Sequence, residues 1–409
     1  MSLGVHWDGA LVGRLTPGAG RTREYTFAYT DDARAISLSL PITQTEFTSA
    51  ESRPFFEALL PEGAVRDQIA GQLKLATGDS YGLLAALGRD CAGALQIVES
   101  RRMSETPDVL WLDDDAMDQL IAGLPSHPLG LTAEDGRLRL SLAGVQRKAV
   151  PVRDASSRFG RPLNGMPSTH ILKPDLDGGQ YPAIAVNEYF CMLLAARCGL
   201  PAATVELATF ADRPCLVVER FDRDRSVQPA RRLHQEDLCQ ALGLTPDFKY
   251  QLPGWRVPSF LAVADLLDRH GARPGADRLA VAEATVFHYL VGNSDAHAKN
   301  MALLHEPGGV RLAPLYDIVS TCAYPDVNRD LAMGIGDAFD PDEVNVVVWD
   351  DFAGDLGLQP RAFATRRTRL AGLVASHAAA LRDEARAEGW HHEIVDAIVT
   401  LIRQRAERV

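Results

Sequence analysis

The chain has 409 residues, enough for two or three domains that each bury a substantial core. An apolar fraction of 46% and a charged fraction of 23% are those of an ordinary globular protein and exclude extensive disorder. With 42 Lys and Arg against 54 Asp and Glu, the net charge of −12 argues against a protein that grips a phosphate backbone by overall charge.

From Val5 to Pro41, short alternating runs ("VHWDGALVGRL", "EYTFAY", "AISLSLP") predict strands of a small antiparallel sheet. "FFEALLPEGAVRDQIAGQLKL" and "SYGLLAALGRD" have helical spacing, and "GALQIVE" returns to strand. Residues 1–100 therefore read as a compact α+β unit. The polar stretch "SRRMSETPDV" reads as a linker. Beyond it, "RLRLSLAGVQRKAVPV" alternates like two strands with a turn at Ala143-Gly144, and "THILKPD" is a third strand. "AIAVNEYFCMLLAARCGL" predicts an apolar helix closed by Gly199, followed by the strands "TVELATF" and "CLVVERF". After about Asp222 the pattern turns helical, interrupted by the strand pair "MALLHE" and "VRLAPLYD". The expected division is 1–100, a sheet-rich lobe over 101–222, and a helical lobe over 223–409.

The six cysteines show no CxxC pair and read as reduced core residues. No signal-peptide layout and no apolar run of about 18 residues is present, so a cytoplasmic protein without membrane partners is expected.

Chemistry-bearing residues concentrate in "LVGNSDAHAKN". Asp295 and Asn300 form D-x-x-x-x-N, and seventeen residues later comes Asp317 in "PLYDIVS". Phosphoryl transfer to a hydroxyl needs a carboxylate at the acceptor and hard oxygen ligands for Mg²⁺, which these three residues can supply. Lys173, on a strand, could reach nucleotide phosphates, and Glu188, fifteen residues on, could pair with it. Taken singly, each has a plainer reading: Asp295 as a turn cap, Asn300 as a local hydrogen bonder, Lys173 and Glu188 as exposed charges. "SLAGVQRK" holds one glycine, Gly144, so it is no standard phosphate loop, although its small residues would let backbone N–H groups approach an anion. "VVERFDRD" ends the sheet-rich part, with Glu219 and Phe221 expected on one strand face. His297 is either a core or capping histidine or a phosphate contact. No H-E-x-x-H or G-x-S-x-G occurs.

In order, "FFEALLPEG", "GRDCAGALQ", "SLAGVQRK", "THILKP", "NEYFCMLLA", "VERFDR", "HQEDLCQALG", "VGNSDAHAKN" and "LAPLYDIVST" resemble the HipA family, kinase toxins of bacterial toxin–antitoxin pairs. The resemblance implies an α+β, two-lobed protein-kinase-like fold with a β-rich N-terminal subdomain and a helical C-terminal lobe. It implies ATP and Mg²⁺ as cofactors, with Asp295 as the catalytic acid-base residue and Asn300 and Asp317 as metal ligands. Lys173, Glu219, Phe221 and His297 fall on nucleotide-binding positions, as do Ser141, Leu142, Ala143 and Gly144 of the phosphate loop. Ser141 falls on the family's self-phosphorylated serine. The implied partners are a HipB-like DNA-binding antitoxin, operator DNA reached through it, and an aminoacyl-tRNA synthetase as protein substrate, glutamyl-tRNA synthetase favoured. "GNSD" stands where ordinary protein kinases have H-R-D, and "YDI" where they have D-F-G. Lys299 has no assigned role. The rival readings are a non-catalytic co-repressor of kinase fold and a small-molecule phosphotransferase.

Overall fold

A computed structural model describes residues 2–18, 24–99, 103, 105–130, 146–176, 178 and 181–409. The chain forms two compact units. Unit 1 comprises Met1–Leu176, Thr209–Arg213 and Val217–Asp247; unit 2 comprises Asp177–Ala208, Pro214–Leu216 and Phe248–Val409.

Unit 1 begins with β1 (Leu3–Trp7), β2 (Ala10–Pro17), β3 (Tyr25–Tyr29) and β4 (Glu46–Phe47). The β1–β2 turn is Asp8-Gly9, both at positive φ, which matches the twist of an antiparallel pair. Helices α1 (Ser49–Ala58), α2 (Gly63–Gln72) and α3 (Ser80–Leu87) follow, then β5 (Leu95–Val98), which pairs with β1 to complete a sheet of order β4-β3-β2-β1-β5. Thr48 and Glu51 form a capping box that starts α1. Phe55 and Phe56, both fully buried, pack edge to face at 5.1 Å, and Phe56 also meets Phe27 of β3.

The strand expected at "AISLSLP" is reduced to a single bridge between Ser37 and Leu40. The Tyr29 hydroxyl explains this: it accepts from Ile36 N at 2.9 Å and donates to the Leu40 carbonyl at 2.7 Å, taking groups a ladder would need. Unit 1 continues with β6 (Asp108–Trp111), α4 (Asp114–Gly123), β7 (Val152–Arg153) and β8 (Phe159–Leu163), in sheet order β6-β8-β7, then β9 (His170–Pro174).

Unit 2 opens with α5 (Ile184–Arg197), after which Gly199 takes φ +80° as expected of a helix stop. Strands β10 (Val205–Phe210) and β11 (Arg213–Glu219) each have residues in both units and are joined by Ala211 and Asp212 at positive φ. Where helices were expected directly after Asp222, unit 1 first forms the hairpin β12 (Arg223–Asp224) and β13 (Arg231–Arg232), then β14 (Gln235–Asp237) and the short α6 (Leu238–Leu242). The cause is a buried ionic cluster that holds Arg220, Asp222, Arg223 and Arg232.

The rest of unit 2 is α7 (Phe260–His270), α8 (Pro274–Val291), the hairpin β15 (Ala302–Glu306) and β16 (Gly309–Leu312), then α9 (Val346–Asp355), α10 (Pro360–Glu388) and α11 (Glu393–Ala406). Ser259 caps α7 through Ala262 N, and Gly292 closes α8 in the left-handed conformation. Its core includes Phe287, Leu290, Trp349, Phe352, Val374 and Ile398. All six cysteines are free thiols, four of them buried. Among the described residues, no helix is long and apolar enough to cross a membrane.

Candidate active site

The site in unit 2 starts where α8 ends. Gly292 has φ +75°, and a Cβ there would lie 2.3 Å from Leu401 Cδ2 and 3.1 Å from Cys322 Cβ, so the turn needs glycine. Asn293 then bridges two layers. Its amide nitrogen lies 3.0 Å from His288 Nδ1, and its Oδ1 accepts from Asp295 N at 3.0 Å. Burial pushes the His288 pKa down to about 4, so the ring is neutral and Nδ1 can accept from the amide.

The Asp295 carbonyl accepts from His297 N at 2.8 Å and from the Asn300 side-chain amide at 3.0 Å. That uses the nitrogen end of Asn300 and leaves its Oδ1 as the end able to meet a cation. Asn300 closes a short 3-10 turn, Ala298–Asn300, that leads into β15. Asp295 is half-buried; His297, Lys299 and Asn300 are buried.

The Asp317 segment is tied to this turn at several points. Tyr316 Oη donates to the Lys299 carbonyl at 2.7 Å, joining the residue before Asp317 to the residue before Asn300. Thr321 Oγ1 donates to the Gly292 carbonyl and accepts from Ser294 N at 2.8 Å, while Cys322 N donates to the same carbonyl at 3.0 Å. Asp317 is half-buried with φ +57°, a conformation non-glycine residues seldom take and often hold at functional positions. Asn187 of α5 exchanges two hydrogen bonds with the Ser320 backbone at 2.8 and 3.1 Å, and the next residue of that helix is Glu188, 1% exposed. The structure thus brings together the segments that carry Asp295, His297, Asn300, Asp317 and Glu188.

Unit 1 carries the remaining candidates. Lys173 lies on β9 and is 6% exposed, and neither it nor Glu188 is the exposed charge that a plainer sequence reading allowed. Ser141, Leu142, Ala143 and Gly144 lie outside the described residues. The described end of that loop is anchored beside the lysine strand: Ala149 and Leu172 exchange backbone hydrogen bonds at 2.9 and 2.8 Å. Glu219 ends β11 and pairs with Arg225 at 3.1 Å. Phe221 lies in the turn past the strand, so alternation does not place it on the Glu219 face. Its neighbours Arg220 and Asp222 are both buried.

Sequence reasoning missed Asn293, Asn187 and Tyr250, whose hydroxyl donates to Asp295 Oδ1 at 3.0 Å. Asn293 had a signal, since an asparagine side chain commonly accepts from the backbone two residues on, here Asp295 N. Tyr250 had none, because "FKYQLPGW" fits no motif. Among the described residues, no group of three or more His, Cys, Asp or Glu side chains could hold a metal. Asn300 and Asp317 offer one amide oxygen and one carboxylate, the hard-oxygen donor types that could hold Mg²⁺ shared with phosphates.

Residues 140–382 match the family model of the HipA-like C-terminal domain, and residues 3–98 that of the HipA N-terminal domain. The chain is 40% identical to the Sinorhizobium fredii protein Y4mE, named as a candidate kinase, over 93% of this chain and 90% of that one. It is 30% identical to the serine/threonine-protein kinase toxin HipA of Shewanella oneidensis, over 91% of this chain and 87% of that one. It is also similar, at 29% identity and a TM-score of 0.84, to a solved structure described as the Shewanella oneidensis toxin–antitoxin system HipA, HipB and operator DNA complex. That match covers 99% of this chain and 97% of the other.

Proposed function

The chain belongs to the HipA family and has its α+β, kinase-like fold, and from that premise we propose that it is an ATP- and Mg²⁺-dependent serine/threonine kinase acting as a cytoplasmic toxin. The observation that carries this reading is the bonding of the Gly292–Asn300 segment to the Asp317 segment through Tyr316, Thr321 and Cys322. In the reaction, the acceptor hydroxyl oxygen bonds to the γ-phosphorus as the bond from that phosphorus to the β–γ bridging oxygen breaks and ADP leaves. Asp295 orients the hydroxyl and takes its proton. Mg²⁺, when bound, supplies charge neutralisation at the phosphates, and Asn300 and Asp317 would hold it. Lys173 and His297 would meet phosphates, and Glu219 and Phe221 would border the adenine.

By likeness to the Shewanella complex, the partner is a HipB-like antitoxin, and operator DNA is reached through it. The net charge of −12 fits that indirect role. An aminoacyl-tRNA synthetase, glutamyl-tRNA synthetase first, is the proposed substrate. Phosphate on Ser141 would add roughly −1.5 to −2 charges to a loop meant to meet nucleotide phosphates and so switch the kinase off. Incubating the protein with labelled ATP and a cell extract tests the whole reading. Label on a synthetase and on Ser141 supports it; label on a small molecule, or on nothing, refutes it.

A further inference from the structure

Five of the twelve exposed large hydrophobic residues among those described fall within ten positions: Phe248, Tyr250, Leu252, Trp255 and Val257, each between 39% and 48% exposed. Phe248 and Trp255 stack at 6.3 Å and 15°. This exposed apolar stretch is fixed onto the catalytic turn. Lys249 O accepts from Ala298 N at 3.1 Å, the Tyr250 ring meets His297 edge-on at 5.2 Å, and Tyr250 Oη donates to Asp295 Oδ1 at 3.0 Å. Gln251 secures the segment from the other side, by backbone donation to Ala332 O at 2.9 Å and by side-chain donation to Trp255 O at 2.8 Å.

We propose that residues 248–257 seat the acceptor polypeptide and that Tyr250 holds the place of the acceptor hydroxyl at Asp295 until a serine or threonine with an apolar neighbour displaces it. This rests on the kinase reading. A hydroxyl 3.0 Å from the carboxylate is where an acceptor must stand to be oriented by a general base, within roughly 2.6–3.2 Å. The backbone around Tyr250 is pinned while the residue is 44% exposed, so a side-chain rotation breaks its hydrogen bond to Asp295 without remodelling the turn. The occupant is a polypeptide because the exposed apolar surface is continuous in sequence with the contact to Asp295 and spans more side chains than a small alcohol can cover. Each acceptor then competes with Tyr250, and apolar contact with Phe248 and Trp255 is what lets the right one win.

The test uses the full chain, labelled ATP and pools of serine-centred peptides that differ in one fixed neighbour. Wild type is expected to label pools with an aromatic or aliphatic neighbour most strongly, and Trp255→Ala to lose that preference. Tyr250→Phe keeps the ring and removes the competitor, so the acceptor KM should fall about tenfold, the scale of one hydrogen bond to a charged group. The KM for ATP should stay within error. An acceptor KM that is unchanged or raised overturns the proposal, as does label on Tyr250 itself. It also falls if Trp255→Ala keeps the preference and instead alters sedimentation, which would make the segment a contact between copies. No transfer by wild type to any peptide or to itself would instead fault the kinase reading, so the two failures are separate.

Discussion

In unit 1, Asp90 accepts from Arg223 and Arg232 at about 3 Å and from Ser168, while Arg220 and Asp222 face each other at 2.8 Å; of these residues only Arg232 is part-buried, the others being essentially without solvent. The Cys91 and Gly93 carbonyls absorb further guanidinium donors. In unit 2, the turn that carries Asp295 is supported by neutral groups instead: His288, Asn293, Thr321 and backbone amides. Three guanidiniums and two carboxylates closed on one another leave no valence for a ligand. Asp295 is different, because it is half-buried and its Oδ1 meets a phenol that can swing away. A carboxylate enclosed by arginines fixes architecture, and one backed by neutral dipoles and open on one side is available for chemistry. Burial opposes the charge on Asp90, yet Arg223, Arg232 and Arg220 overcome it and hold its carboxyl below the ordinary range; the same balance depresses Asp222.

The contrast can be broken most severely at Asp90. Asp90→Ala leaves the two buried guanidiniums of Arg220 and Arg223, with part-buried Arg232, facing one carboxylate and should cost about 3–5 kcal/mol in chemical denaturation. A loss under about 1 kcal/mol would mean that the cluster is not what holds unit 1.

Acidification probes both units. Burial lowers His288 to about 4, and burial together with Arg225 and Arg153 lowers His170 to about 3. Between those values and the ordinary 6.5, the unfolded chain binds protons that the folded one does not, so stability is lost as the pH drops through that window. His288 alone contributes roughly 3 kcal/mol over it. Below about pH 4, protonation of Asp90 and Asp222 adds to the loss. Thermal midpoints measured from pH 7 to 4 should fall steadily and fall less in His288→Asn; a flat profile would contradict neutral support of the turn.

Gly292→Ala should cost about 1–3 kcal/mol for the strained backbone, together with displacement of Leu401, and should reduce transfer with it. The smallest effect is expected at Arg225, whose pair with Glu219 is about one-third exposed on each side. Arg225→Ala should change stability by less than about 1 kcal/mol in a thermal melt.

What the sequence revealed and what it hid follow from range. Asp295, His297 and Asn300 lie within six positions, so their turn could be read from spacing, as could α7 and α8 from their apolar periodicity. Asp90 meets Arg223 across 133 residues, Asn187 meets Ser320 across 133, and Tyr250 meets Asp295 across 45. No local pattern encodes such partners, because packing of separate elements chooses them. The same limit explains Ile36–Leu40: its alternation is real, but a distant tyrosine hydroxyl claimed its backbone groups. It also explains Lys173 and Glu188, whose burial depends on elements around them that periodicity does not specify.

The most direct measurement compares wild type with Asp295→Asn for two quantities, ATP affinity by calorimetry with Mg²⁺ and transfer of labelled phosphate to the protein and to a cell extract. If Asp295 positions the acceptor and takes its proton, the variant keeps its fold and its ATP affinity and loses transfer by about 100-fold or more. Wild-type transfer by folded Asp295→Asn would contradict the account.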